Sequence, residues 1–297
     1  MNHIKTKSLV QGAMIAAMFG ALSLFNTYTG GIIDIFICYF MVVPVAWYGY
    51  QYSIKENIIV AFVSMIVIFM FGVPTFIISS FSACLIGLFL GEMLKREAKK
   101  EMILLGTLII CIFNNILIYQ VFSGLLGMDI VSEITEMYNE MMSLYSLPIS
   151  LETLISFIPL IILLMSGLEM YVILLICQLI FMRLKIKFPE NFHIATLHFS
   201  KKIGLFLGMC LVISGLLKYF QIGDVLVDYI YLLSYIGFVL EGFALGNFYA
   251  VVKQNRFIII LLFILFFIPY GTFIYLILGI VDIFSDLRRK LLYNDKM

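Results

Sequence analysis

Nine apolar stretches, most of them near the twenty or so residues that cross a hydrocarbon core of about 30 Å, decide the solvent in which this chain folds. By residue number they are 9–28, 32–50, 58–72, 76–94, 102–122, 151–182, 201–220, 225–252 and 257–284. Of the 297 residues 63% are hydrophobic and 12% charged, against about 25% charged in a soluble domain. No separate soluble domain fits between the runs. The expected fold class is therefore all-α: a polytopic transmembrane helix bundle of eight to nine spans. Lys5 and Lys7 precede the first run as in a signal peptide, but the run reaches spanning length and others follow, so it reads as an uncleaved first helix. Three regions follow from the runs: 1–126 with five membrane helices, an external segment 127–150, and 151–297 with the remaining helices and a basic tail.

The first run carries small residues in two interleaved rows, Gly12, Ala16, Gly20 and Ala13, Ala17, Ala21. Residues four apart share a helix face. Burial of apolar surface drives no association in lipid, and a strip of small side chains lets another helix approach closely enough to gain van der Waals contact. The strip serves either packing inside the bundle or docking of a partner.

Lys and Arg mark the cytoplasmic loops of membrane proteins. Lys5, Lys7, Lys55, the run Lys95 to Lys100, Arg183, Lys185, Lys187, Lys201, Lys202, Lys253 and Arg256 fall on one side, which puts the N-terminus in the cytoplasm. Simple alternation would then place Arg288, Arg289 and Lys290 outside. Pro269-Tyr270-Gly271 interrupts the last run, because Pro removes a helix hydrogen bond and Gly adds backbone freedom. A re-entrant hairpin and a kinked single span are both compatible with that break. The run 151–182 is long enough to tilt or project. The external segment 127–150 has no Lys or Arg; Ile130, Ile134, Met137, Met141 and Tyr145 share one helical face and Asp129, Glu133, Glu136 and Glu140 another. It reads as an amphipathic helix, either an interfacial connector or a lid.

Polar residues inside the runs are the costly ones. Asn114, Asn115, Glu169 and Glu241 lie near mid-depth by these boundaries, with Asn247 one or two turns beyond, and they are expected to converge on a small-molecule or proton site. The alternative is interhelical hydrogen bonding, worth about 1 kcal/mol. No Lys or Arg lies at comparable depth to pair with either Glu. The five cysteines stand alone as small core residues, and no phosphate loop, H-E-x-x-H or G-x-S-x-G motif occurs. His193 and His198, five apart, do not share a helix face and read as solvated loop residues rather than metal ligands. The sequence accordingly reads as no enzyme, with no cofactor, no metal and no nucleic-acid partner.

The most distinctive local pattern is the tail, where Gly279, Asp282, Asp286, Arg288 and Arg289 form Gly-x-x-Asp followed by Asp-x-Arg-Arg-Lys. This pattern, with Leu240-Glu241-Gly242-Phe243-Ala244 in the preceding run, resembles the YybS-like family of bacterial membrane proteins, a domain of unknown function in whose motif Gln is expected at the place of Glu241. The N-terminal half is similar to the substrate-binding subunits of energy-coupling factor transporters through Ala13, Ala17 and Ala21, with Pro44, Gly49, Gly87 and Gly91 in further support. A more distant similarity is to MreD, a membrane scaffold of cell-shape control. The resemblance implies a multi-pass bacterial plasma-membrane protein that binds a small molecule and docks a transmembrane coupling subunit with its ATPases. The rival class is a membrane scaffold in envelope assembly or differentiation.

Overall fold

The computed structural model of the chain describes residues 2–122, 124, 130–144, 150–188, 192–220, 224–268, 270–285, 287–288 and 291. These residues are helical or lie in the short connections between helices. Among them seven helices are long and apolar enough to cross a membrane, or eight if one bent pair is counted as a span. The fold class is the one the apolar runs predict.

The chain divides into two compact units, Met1–Asn191 and Phe192–Met297. In the first, α1 (Asn2–Tyr28), α2 (Asp34–Gln51), α3 (Ile54–Phe71) and α4 (Pro74–Lys95) pack around one another, and α5 (Lys100–Ile116) joins α4. Starts and stops follow local chemistry. Ser53 and Glu56 close a reciprocal capping box on α3, and Pro74 opens α4 at its first turn, where its missing N–H costs nothing. The two small-residue rows of α1 separate cleanly. Gly12, Ala16 and Gly20 are buried, with Val60 and Val67 of α3 where Cβ atoms on the two glycines would stand, whereas Ala13, Ala17 and Ala21 are exposed. Gly49 and Gly91 bring α2 and α4 to backbone contact, for a Cβ on Gly91 would lie 2.7 Å from Ala46 O and 3.0 Å from Gly49 Cα.

Beyond α5 the chain widens into a π-helical turn, Leu117–Phe122. The acidic segment contains α6 (Ile130–Leu144), on which Met137 and Met141 are exposed together with Glu133, Glu136 and Glu140. Asp129 and Tyr145 of the expected faces lie outside the described residues. The stretch expected as one long span is broken at Phe157 into α7 (Leu151–Ser156) and α8 (Ile158–Arg183), because Pro159 sits in the first turn of α8 and cannot continue a preceding helix. α8 packs against α5 and α2.

The second unit opens with a loop containing a 3-10 turn, Ile194–Thr196, and then folds α9 (Lys201–Tyr219) antiparallel onto α10 (Val225–Val252). Lys218 and Asp228 pair at 2.8 Å at one end, and Leu207 faces Gly237 nearer the other. α11 (Arg256–Phe267) and α12 (Gly271–Phe284) meet at an angle of 116°. Pro269 lies outside the described residues, but its neighbours show how the chain turns. Tyr270 is left-handed at φ 67°, and Gly271 lies so close to Leu265 O that a Cβ would overlap it.

The contacts decide between hairpin and kink. Leu262 of α11 packs beside Gly246, its backbone oxygen accepts a hydrogen bond from the Tyr275 hydroxyl, and Phe266 packs edge-on against Phe243, so α11 descends alongside α10. Tyr235 then bonds Thr272 at 2.9 Å, and Arg288 beyond α12 reaches Glu241 and Ala195 O, so α12 climbs back. Gly242 and Gly279 make the crossing possible, since a Cβ on either would overlap the carbonyl oxygen of Tyr275 or Phe238. α11 and α12 thus form a helical hairpin along α10, and α12 ends beside the start of α9.

Candidate functional site

Two polar groups are built into the helices, one in each unit. In the first, Asn115 on α5 faces α8, where Ser166 and Glu169 lie three residues apart on one face. Asn115 Nδ2 donates to Ser166 Oγ and to Glu169 Oε2, each at 2.9 Å, and lies 3.1 Å from Cys111 O. Ser166 in turn donates to Ile162 O at 2.7 Å. Asn115 and Ser166 are buried and Glu169 half-buried. Glu169 Oε1 accepts no hydrogen bond from the described residues, so one carboxylate oxygen is held by Asn115 and the other can receive a donor. Asn114 is also buried, but one residue along a helix is about 100° around its axis, and its side chain takes no part in this group.

Glu241 and Asn247, expected with these residues, make their contacts on other elements. Both belong to α10 in the second unit, and both find partners there. Asn247 Nδ2 donates to Phe243 O in its own helix at 2.8 Å, which satisfies a buried amide without forming a site. Glu241 is fully buried, and its Oε2 accepts the Phe199 N–H at 3.0 Å, two residues before α9 starts. It therefore lies beside the start of α9. α10 continues eleven residues beyond Glu241, to Val252.

Basic partners, which the sequence reading did not find for Glu241, come from both sides of the helix pair. His198 Nδ1 is 2.7 Å from Glu241 Oε1 and 3.8 Å from Asp282 Oδ2. Arg288 donates to Asp282 Oδ2 through Nε at 2.8 Å and to Glu241 Oε1 through Nη2 at 3.3 Å, and Nη2 also lies 2.6 Å from Asp282 Oδ2 in an ion pair. Its Nη1 donates to Ala195 O at 3.1 Å, and its guanidinium sits 5.4 Å above the Phe248 ring. The tail motif acquires a structural meaning here. Gly279 permits close packing, Asp282 follows three residues later on the same face, and Arg288 folds back to neutralise it. Asp286 and Arg289 lie outside the described residues. Two histidine positions behave differently as well: His193 caps the 3-10 turn by accepting from Ala195 N, while His198 joins the carboxylates. Only a fold that returns α12 to the start of α9 could have told the two apart.

Residues 15–283 match the family described as predicted membrane protein, DUF2232. The chain belongs to the DUF2232 family. That membership agrees with the multi-pass membrane architecture and extends over both polar groups except Arg288. No curated protein and no solved structure matches the chain.

Proposed function

We propose that this DUF2232 protein is a membrane-embedded binding subunit of a bacterial plasma-membrane transport system, energised by other chains. The observation that carries the reading is Glu169, a carboxylate within an apolar helix whose Oε2 is fixed by Asn115 while Oε1 stays available. A carboxylate in a span is costly unless it meets water, a partner or a ligand, and a bound cation, proton or amine would match it. The exposed Ala13, Ala17 and Ala21 row supports the second half of the reading. The buried Gly12, Ala16 and Gly20 row serves packing onto α3, so the exposed row is free for a second helix, as the similarity to energy-coupling factor subunits implies for docking a coupling subunit. The Lys and Arg distribution supports a cytoplasmic N-terminus. The small molecule would be a cationic or donor-rich solute, and the protein would itself catalyse no reaction.

The experiment is complementation of a deletion strain with Glu169→Gln and Glu169→Leu, alongside membrane abundance. Gln retains volume and hydrogen-bonding capacity but not the charge. The expected outcome is normal abundance without complementation for Glu169→Gln, and reduced abundance for Glu169→Leu. Full complementation by both variants would instead make the residue helix glue and favour a scaffold in envelope assembly.

A further inference from the structure

The second unit carries a cluster that the transport reading does not use. His198 from the loop before α9, Glu241 from α10 and Asp282 from α12 each present one donor atom, and the three atoms lie within 4.8 Å of one another. Two donors bound to one ion at about 2.1 Å can be no more than about 4.2 Å apart. The 2.7 Å and 3.8 Å separations from His198 Nδ1 to Glu241 Oε1 and Asp282 Oδ2 meet that limit, and the two carboxylates come within 4.8 Å of each other.

Charge and hydrogen bonding both leave the cluster incomplete. Two carboxylates of side chains with no exposed surface face one guanidinium, so with neutral imidazole the group keeps one negative charge in excess. Asp282 Oδ1 is buried and has no hydrogen-bond partner among the described residues. An orphaned carboxylate oxygen is expensive to bury. A proton on His198 would balance the charge through its bond to Glu241 Oε1 but would leave Asp282 Oδ1 without a partner. A metal ion taken up by Asp282 Oδ1, with Oδ2 left to Arg288, would serve both carboxylates and the imidazole together.

The geometry points to a divalent first-row transition-metal site made by His198, Glu241 and Asp282. One imidazole with two carboxylates suits Zn²⁺ or Mn²⁺, with water completing the coordination. Arg288, bonded to Asp282 Oδ2 and Glu241 Oε1, fixes the orientation of the two carboxylates, as partners of metal ligands do. The half-exposed His198 side chain gives the ion its entry. Such an ion would tie the helical hairpin to α10 and to the loop before α9. The site is independent of Glu169 and of whatever that residue binds.

The test uses the full-length protein, purified in detergent without a histidine tag and stripped with chelator, titrated calorimetrically with Zn²⁺ and separately with Mn²⁺. At least one ion should bind with one equivalent, and His198→Ala and Asp282→Asn should each weaken it at least tenfold, while His193→Ala should not. The same ion should raise the thermal midpoint of wild type and leave that of His198→Ala unmoved. His198 lies at the surface, so its variant keeps the test decisive if Asp282→Asn fails to fold. Absence of binding by both ions, or equal binding by wild type and His198→Ala, overturns the site.

Discussion

At the scale of single residues, the difference between two glycines shows how much a missing side chain can matter. Gly279 faces Phe238 O so closely that a Cβ would overlap it, whereas a Cβ on Gly167 of α8 meets nothing within 4 Å. Gly279→Ala must push α10 and α12 apart and disturb the group that Asp282 forms three residues later. Overpacking of this kind costs about 1–3 kcal/mol. Gly167→Ala should be neutral or gain a few tenths of a kcal/mol, because Ala is the better helix former. Equilibrium unfolding in mixed detergent would compare the two, and equal stability of the two variants would mean that the α10–α12 crossing is looser than the backbone positions indicate. The same pair marks a limit of sequence reading. Both glycines stand in apolar runs, and spacing alone does not say which one touches a neighbouring backbone.

At the scale of elements, the helices themselves were legible because the bilayer demands long apolar runs and helices satisfy their backbone groups internally. Interruptions were less so. Pro159 splits the run 151–182 near its start, a break that hydropathy averages away although Pro in a first turn announces it. The small-residue strip on α1 was half legible: the four-residue spacing gave both rows, and only packing against α3 assigns the Gly12 row to the interior and the Ala13 row to the surface. The assignment makes adjacent residues behave oppositely. Ala16→Leu should lower stability and abundance, since Ala16 is 6% exposed. Ala17→Leu should leave both unchanged and weaken recovery of partner chains in a pull-down from gently solubilised membranes. If Ala17→Leu recovers partners as wild type does, the exposed row is a lipid-facing surface and not a docking one.

At the scale of the whole molecule, the open problem in the sequence was the sidedness of the C-terminal tail, where charge and simple alternation disagreed. The helix order of the second unit bears on that conflict. α9 and α10 are antiparallel neighbours, so the start of α9 and the end of α10 share a side, and Arg288 bonds Ala195 O in the loop before α9. α11 leaves from that side and α12 returns to it. The candidate site was harder to read than this topology, because Glu241 owes its partners to residues 43 and 47 positions away, brought together only by the hairpin. The stretch 286–297, expected in the cytoplasm, lies largely outside the described residues, so its sidedness is a matter for labelling. In a cysteine-free background, Lys253→Cys, Asp224→Cys and Asn294→Cys sample the α10–α11 connection, the start of α10 and the tail. With the basic loops inside, a membrane-impermeant thiol reagent should modify Asp224→Cys in intact cells, and the other two only after permeabilisation. Modification of Asn294→Cys together with Asp224→Cys would require α11 and α12 to act as a single crossing, and would break the link between α12 and the loop before α9 on which the metal site depends.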